Sequence, residues 1–251
     1  PKVKVDAVRS LQADVLLFGD SYSDAYARAC ELQAEHGWTF VHPFEGPKTA
    51  LGTASVGMEF IDQTCAEGVS LDAVIVAAGG GGLTGGVACA VKQLSPETTV
   101  YVVEPEGADS LNRSFKAGSP QSIDAVRTIA DSLGAPRCEP YSFALNRRFV
   151  DEIVLVNDDQ IREGMRLLFR SAKLAVEPAG AAALAALDII ESQPDLVAAP
   201  VAKAQRFTRA LNLPPAQSSI VPIVLGETGR TLAAAQALQE DGFLAVAIRP
   251  P

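Results

Sequence analysis

Short unbroken apolar runs alternate along the chain with longer amphipathic stretches, so strands and helices are expected to take turns. The periodicity predicts a helix over 5–11, a strand over 14–18, a helix over 23–36, a strand over 39–41 and a helix over 53–67. The run Leu71-Asp72-Ala73-Val74-Ile75-Val76-Ala77-Ala78 reads as a buried strand, a helix follows over 83–92, and the next apolar run covers 100–103. Asn157-Asp158-Asp159 ahead of Ile161, Met165 and Leu168 signals a further helix over 158–174. Apolar strands each followed by a helix imply an α/β fold, a twisted parallel sheet covered by helices on both faces. Residues 135–140 are polar and flanked by proline, which reads as a hinge or lid.

The strand over 71–78 closes in four consecutive glycines, Gly79, Gly80, Gly81 and Gly82, and Leu83 opens the helix that follows. Without Cβ atoms, successive N–H groups can converge on one oxyanion, and a helix N-terminus adds about half a positive charge. A ligand phosphate is the natural occupant, at the carboxyl end of a parallel strand where such sheets bind ligands. A plain turn would accumulate a cost of roughly 0.5–1 kcal/mol per glycine without packing anything. Gly80-Gly81-Gly82-Leu83-Thr84-Gly85 also fits G-x-G-x-x-G, with Glu104 as the ribose-binding acid of a dinucleotide site. Pro105 directly after that acid, and the extra glycine, count against it. A phosphate- or dinucleotide-binding module without covalent catalysis stays open on these residues.

Several ordered motifs carry a more specific signal. Asp72 to Gly86, then Leu94-Ser95-Pro96-Glu97-Thr98, then Val102-Val103-Glu104-Pro105-Glu106-Gly107-Ala108 resemble threonine/serine dehydratases and serine racemases, which are fold-type II pyridoxal 5′-phosphate enzymes. The likeness includes His36-Gly37-Trp38-Thr39-Phe40-Val41-His42-Pro43-Phe44, Thr128-Ile129-Ala130-Asp131-Ser132 and Lys173-Leu174-Ala175-Val176-Glu177-Pro178-Ala179-Gly180, and spans residues 1–185. It implies an ammonia-lyase acting on a small β-hydroxy amino acid, with a serine racemase-type isomerase as the alternative, in a cytoplasmic homodimer. By the same resemblance Gly79, Gly80, Gly81, Gly82 and Leu83 hold the cofactor phosphate, and Glu177 lies close to the cofactor. Metal-stimulated relatives bind Mg2+ or Ca2+ through an acid, a carbonyl four residues on and a second acid six residues on. Those positions are Glu104, Ala108 and Ser110 here, so the site is one carboxylate short unless Asp109 substitutes, and weak binding is expected.

The resemblance also implies a Schiff-base lysine in an S-F-K-x-R-G-A motif ahead of everything seen here, and no such motif precedes the glycine run in this chain. Ser114-Phe115-Lys116-Ala117-Gly118 mimics it but follows the glycine loop, so Lys116 reads as a solvated lysine, and Lys173 does not match the family's lysine either. If the chain is complete as written, it should bind the cofactor without dehydrating a substrate. Residues 183–251, through Phe207 to Val224 and the ending Asp241 to Pro251, resemble instead the small C-terminal domain of 8-amino-7-oxononanoate synthases, fold-type I enzymes with the same cofactor. The organisation expected is a remainder of a small α/β domain over 1–45, a cofactor-binding domain over 46–182 and an atypical α/β segment over 183–251, joined within an alanine-rich helix. By the dehydratase resemblance a serine-glycine-rich loop near this point contacts the pyridine nitrogen; Leu225-Gly226-Glu227-Thr228-Gly229 stands there instead, with Thr228 as a hydroxyl that could donate.

Composition agrees with a soluble α/β protein. With 251 residues and 48% hydrophobic content, the chain can fill a sizeable core. A net charge of −9, with no basic cluster beyond Arg147-Arg148, argues against nucleic acid. No run of about 18 residues is apolar enough for a membrane span. Cys30, Cys65, Cys89 and Cys138 lack C-x-x-C spacing and read as reduced thiols, and His36 and His42 read as structural.

Overall fold

The structure, a computed structural model, describes residues 2–192, 194–216, 223, 225–226 and 228–240. Two compact units, Pro1–Pro43 and Phe44–Pro251, make up the chain.

The first unit holds α1 (Lys2–Ser10) and α2 (Tyr22–His36). Ser21 and Asp24 form a reciprocal capping box at the start of α2, and Gly37 ends it in the left-handed conformation that glycine tolerates. The strands expected over 14–18 and 39–41 do not form: both segments are irregular and pair with nothing among the described residues. An apolar run asks for burial, but a strand exists only where a neighbour supplies ladder partners. Leu16, Leu17 and Phe18 are accordingly exposed. Both histidines stand in aromatic contacts, His36 stacked on Trp38 at 4.5 Å and His42 edge-on to Tyr26 at 5.6 Å.

The second unit opens with α3 (Pro47–Ala66), which starts earlier than expected because Pro47 is pre-set for a helical first turn. There follow β1 (Ala73–Ala77), α4 (Gly82–Leu94), β2 (Thr99–Pro105), α5 (Ser110–Ala117), α6 (Pro140–Phe149), β3 (Glu152–Val156) and α7 (Asp158–Leu167). The three strands form one parallel sheet in the order β1-β2-β3, with Val76 opposite Val102 and Val102 opposite Ile153. Alternation along β2 sends Tyr101 and Val103 to one face and Val100 and Val102 to the other. The first face is sealed by α8 (Pro178–Ser192), whose Ala181, Ala182, Ala185 and Ala186 allow close approach; the second is sealed by α4 through Val87, Ala88 and Val91. The parallel sheet covered on both faces is therefore as the sequence predicts.

Two local expectations change. The helix begun at Asp158 leaves α geometry at Leu167, continues as a π turn over Leu168–Ala172 and stops at Lys173, whose φ of 59° is left-handed. Residues 135–140 are no free lid: Ile123 N–H donates to the Pro136 carbonyl and Cys138 N–H to the Gln121 carbonyl, and Pro140 already begins α6. The junction expected within an alanine-rich helix at 182/183 falls inside α8, which runs unbroken across it. Beyond it come α9 (Pro194–Ala210) and α10 (Thr228–Glu240). The stretch 217–224, apart from Ile223, and the ending 241–251 lie outside the described residues, as does the side chain of Thr228. Among the described residues no helix is long and apolar enough to cross a membrane.

Candidate functional site

The sheet delivers the glycine run to its carboxyl edge. Ala78 N–H still pairs with the Val103 carbonyl at 2.8 Å, after which the chain leaves β1 at Gly79 and enters α4 at Gly82. Gly81 is the N-cap, with φ 85° and ψ 1°, and is the only one of the four glycines that requires a left-handed backbone. From Gly79 through Leu83, no N–H donates to an acceptor among the described residues. Gly80, Gly81 and Gly82 are buried, and buried N–H groups are rarely left without a partner. Five consecutive unspent donors at a helix N-terminus fit an anion with several oxygens, such as a phosphate.

The glycines also pack tightly, which corrects the expectation that a ligand-free turn would pack nothing. A Cβ on Gly80 would fall 2.2 Å from Phe44 Cδ2, one on Gly82 2.6 Å from the Phe44 backbone, and one on Gly79 3.2 Å from Leu133. Glycine identity is thus explained by the protein's own packing, and the anion reading rests on the unspent N–H groups. The carbonyls on the other side of the loop are held. The Gly81 carbonyl accepts from Gly85 N–H at 2.9 Å and from Asn146 Nδ2 at 2.8 Å, and the Gly82 carbonyl accepts from Thr53 Oγ1 at 2.9 Å. Helix α6, which carries Asn146, is itself tied down by Glu45, whose two oxygens accept the Tyr141 and Ser142 N–H groups at 2.8 and 2.9 Å. The Ser142 hydroxyl donates to the Phe44 carbonyl. Of these residues, Phe44 closes the motif His36 to Phe44, whereas Glu45, Thr53 and Asn146 belong to no motif in the sequence. Asn146 had no signal to offer, being one polar position on an amphipathic helix 65 residues from Gly81.

The other predicted residues are not gathered onto the loop. Glu177 is exposed just ahead of α8, whose first turns join Leu133, the neighbour of Gly79, in one core cluster. Lys116 is exposed in the last turn of α5, and the Lys173 ammonium donates to the Arg170 carbonyl at 2.7 Å.

Glu104 is engaged by the protein itself. It is fully buried, and its two oxygens accept the N–H groups of Leu111 at 2.9 Å and Asn112 at 2.7 Å, capping α5. A ribose hydroxyl or a cation would have to compete with those bonds. The Asp109 carboxylate is held by Asn112 Nδ2 at 3.1 Å and Arg113 Nε at 2.8 Å. Among the described residues no three His, Cys, Asp or Glu side chains are arranged to hold a metal ion. Ala108 and Ser110, the other two positions of the expected set, are buried, and the Ser110 hydroxyl has no hydrogen-bond partner among the described residues, so the set offers a hard cation one carboxylate, a carbonyl and a hydroxyl.

Burial raises the Glu104 pKa from its ordinary 4.5 to about 8, against the two N–H bonds that favour the charged form. Between those values the folded chain keeps a proton that the unfolded chain has released. Glu104 therefore contributes stability that is full below about pH 4.5 and is lost as pH rises through about 8. Urea unfolding should show that decline, on the order of a few kcal/mol, and Glu104→Gln should flatten it. An equal slope in both proteins would mean that Glu104 is charged throughout.

Comparison with known proteins agrees with this fold. Phenylserine dehydratase of Ralstonia pickettii is 49% identical over 184 residues, covering 73% of this chain and 55% of that protein. Catabolic L-threonine dehydratase of Escherichia coli is 35% identical over 187 residues, covering 74% and 56%. Among solved structures, the processed form of threonine deaminase isoform 2 from Solanum lycopersicum superposes with a TM-score of 0.69 at 34% identity, covering 74% of this chain and 53% of that one. Maize serine racemase gives 0.66 at 32% identity, covering 73% and 55%. The chain spans about half the length of these curated relatives. Residues 1–201 match the family described as pyridoxal-phosphate dependent enzyme, and the chain belongs to that family.

Proposed function

We propose that this chain supplies the phosphate-holding part of a pyridoxal-phosphate ammonia-lyase of the threonine/serine dehydratase type, acting on a small β-hydroxy amino acid. The observation that carries the reading is the row of unspent N–H groups from Gly79 to Leu83 at the start of α4. The chemistry supplied by the bound cofactor is that of an electron sink, which lets an α-proton and a β-hydroxyl leave the substrate. The chain's own contribution is to anchor. Gly79 to Leu83 offer N–H donors, α4 adds the positive end of its dipole, and Phe44 and Leu133 brace the loop from behind. The cofactor-holding part is taken to run over 46–182, with residues 183–251 a separate segment of 8-amino-7-oxononanoate synthase type, in a homodimer. Glu177 is assigned to the cofactor's surroundings on its approach to α8. No divalent ion enters the reading, because both Glu104 oxygens accept N–H groups of α5 and the Asp109 carboxylate is held by the Asn112 and Arg113 side chains.

Pyridoxal 5′-phosphate is expected to bind at least tenfold more tightly than pyridoxal in a calorimetric titration, since only the former can use the loop. Equal affinities would remove the reading. Millimolar Mg2+ or Ca2+ should leave the melting temperature unchanged; a saturable rise would restore an ion at Glu104 and the Ala108 carbonyl. Joined to a lysine-bearing segment of the kind the resemblance implies, these residues should support release of 2-oxo acid and ammonia from L-threonine or L-serine. Racemised serine in place of 2-oxo acid would favour the isomerase.

A further inference from the structure

Asn146 is fully buried, with a carboxamide that meets three protein groups. On one side Nδ2 lies 2.8 Å from the Gly81 carbonyl and 2.7 Å from the Ser142 carbonyl; on the other, Oδ1 accepts from Thr84 Oγ1 at 2.6 Å. Two carbonyls on one side can only face an NH2 group, so the orientation of the amide is fixed by its partners. Thr84 is equally buried. An apolar side chain would fill this space without the cost of burying an amide, about 1–3 kcal/mol when it is unpaired. The amide is retained where it touches one group of the glycine loop, the Gly81 carbonyl.

Peptide geometry says what that contact does. In a planar trans peptide the C=O and the following N–H point in opposite directions. Holding the Gly81 carbonyl against α6 therefore turns the Gly82 N–H away from α6, to the side where the loop's donors are unspent. Thr53 does the same one residue on, holding the Gly82 carbonyl and so turning the Leu83 N–H. The Gly81 carbonyl also accepts from Gly85 N–H at 2.9 Å and lies 3.1 Å from Thr84 Oγ1, both on α4, so the amide adds an anchor from a separate helix to a residue whose backbone reaches other conformations at little cost.

We propose that Asn146, locked by Thr84, is the positioning residue that aims the Gly82 N–H at the bound phosphate. This rests on the phosphate reading of the loop and adds to it a residue on a separate helix. Preorganised donors bind an oxyanion better than donors that must first be ordered, so loss of the amide should appear as loss of anion affinity beyond any loss of stability.

The test is a titration of the chain labelled with 15N-glycine, using inorganic phosphate as the probe and the amide signals of Gly80, Gly81 and Gly82 as the readout. In the wild type these signals should move saturably. Asn146→Ala should weaken phosphate binding by about tenfold or more. Val150→Ala, which removes a buried side chain at the end of the same helix, should lower the melting temperature and leave the phosphate affinity unchanged. Thr84→Val keeps the packing and removes the hydroxyl that orients the amide at 2.6 Å and lies 3.1 Å from the Gly81 carbonyl; a loss of about threefold is expected, and it carries the test should Asn146→Ala not fold. Wild-type affinity in Asn146→Ala, or in Thr84→Val where that variant must serve, overturns the proposal. Glycine signals that do not respond in the wild type overturn the phosphate reading and this inference with it.

Discussion

Gly81→Val should cost this chain most of its affinity for pyridoxal 5′-phosphate, at least a hundredfold, together with roughly 2–4 kcal/mol of stability. Gly81 sits at φ 85°, a region that a β-branched side chain resists, at about 1–2 kcal/mol for the handedness alone. Its Cβ would also lie 2.9 Å from Asn146 Nδ2, so the amide must move or the loop must shift. Either response disturbs the N–H groups that the phosphate uses. Gly118 separates the two effects. It shares the left-handed backbone, with φ 73°, but has open space around its Cβ position. Gly118→Val should show the strain term alone, with cofactor affinity unchanged. A Gly81→Val protein that binds like the wild type would show that the loop is not the anchor.

The second large effect lies at the opposite edge of the sheet. Lys92, near the end of α4, is within 2.6 Å of Asp151, just before β3, and both side chains are at most 9% exposed. The pair is woven into the backbone: Asp151 Oδ2 accepts the Val100 N–H at 2.7 Å, and Lys92 Nζ donates to the Thr98 carbonyl at 2.7 Å. One ion pair thus fastens α4, the start of β2 and the approach to β3. Removing one partner leaves the other charge buried without its counterion, which typically costs about 3–5 kcal/mol. Lys92→Met should lose about that much in urea unfolding, while cofactor affinity measured well below the transition stays near wild type. A loss under about 1 kcal/mol would class the pair with exposed salt bridges. Arg162 and Asp159 on α7 form such a pair, with side chains 44% and 91% exposed, and little is expected of breaking it.

The glycine loop was legible in the sequence because two independent signals met there, a continuous apolar strand and a helix pattern separated by glycine alone. Fold class followed from repeats of that unit. The strands expected over 14–18 and 39–41 failed for a reason that local pattern cannot report: their apolarity is real, but pairing depends on a neighbour elsewhere. Glu104 was legible as an important acid, and the structure adds a capping role that the strand pattern does not show. A carboxylate at a strand end serves a ribose, a cation or a helix equally well on paper; the turn over Glu106–Ala108 brings the start of α5 back onto it, and the helix takes both oxygens. The glycines carried a further ambiguity. Close approach of Phe44 demands them as firmly as a ligand would, so only the count of unspent donors separates the two causes. Asn146, Thr53 and Glu45 were invisible because each acts through a carbonyl or N–H far away in sequence.

The claim on which the functional reading depends is that the phosphate sits on the N-terminus of α4. A crystal structure of the chain with pyridoxal 5′-phosphate bound at saturation measures this directly. Phosphate oxygens are expected within about 2.7–3.2 Å of N–H groups between Gly79 and Leu83. A cofactor bound elsewhere, with those N–H groups still lacking an acceptor, would contradict it.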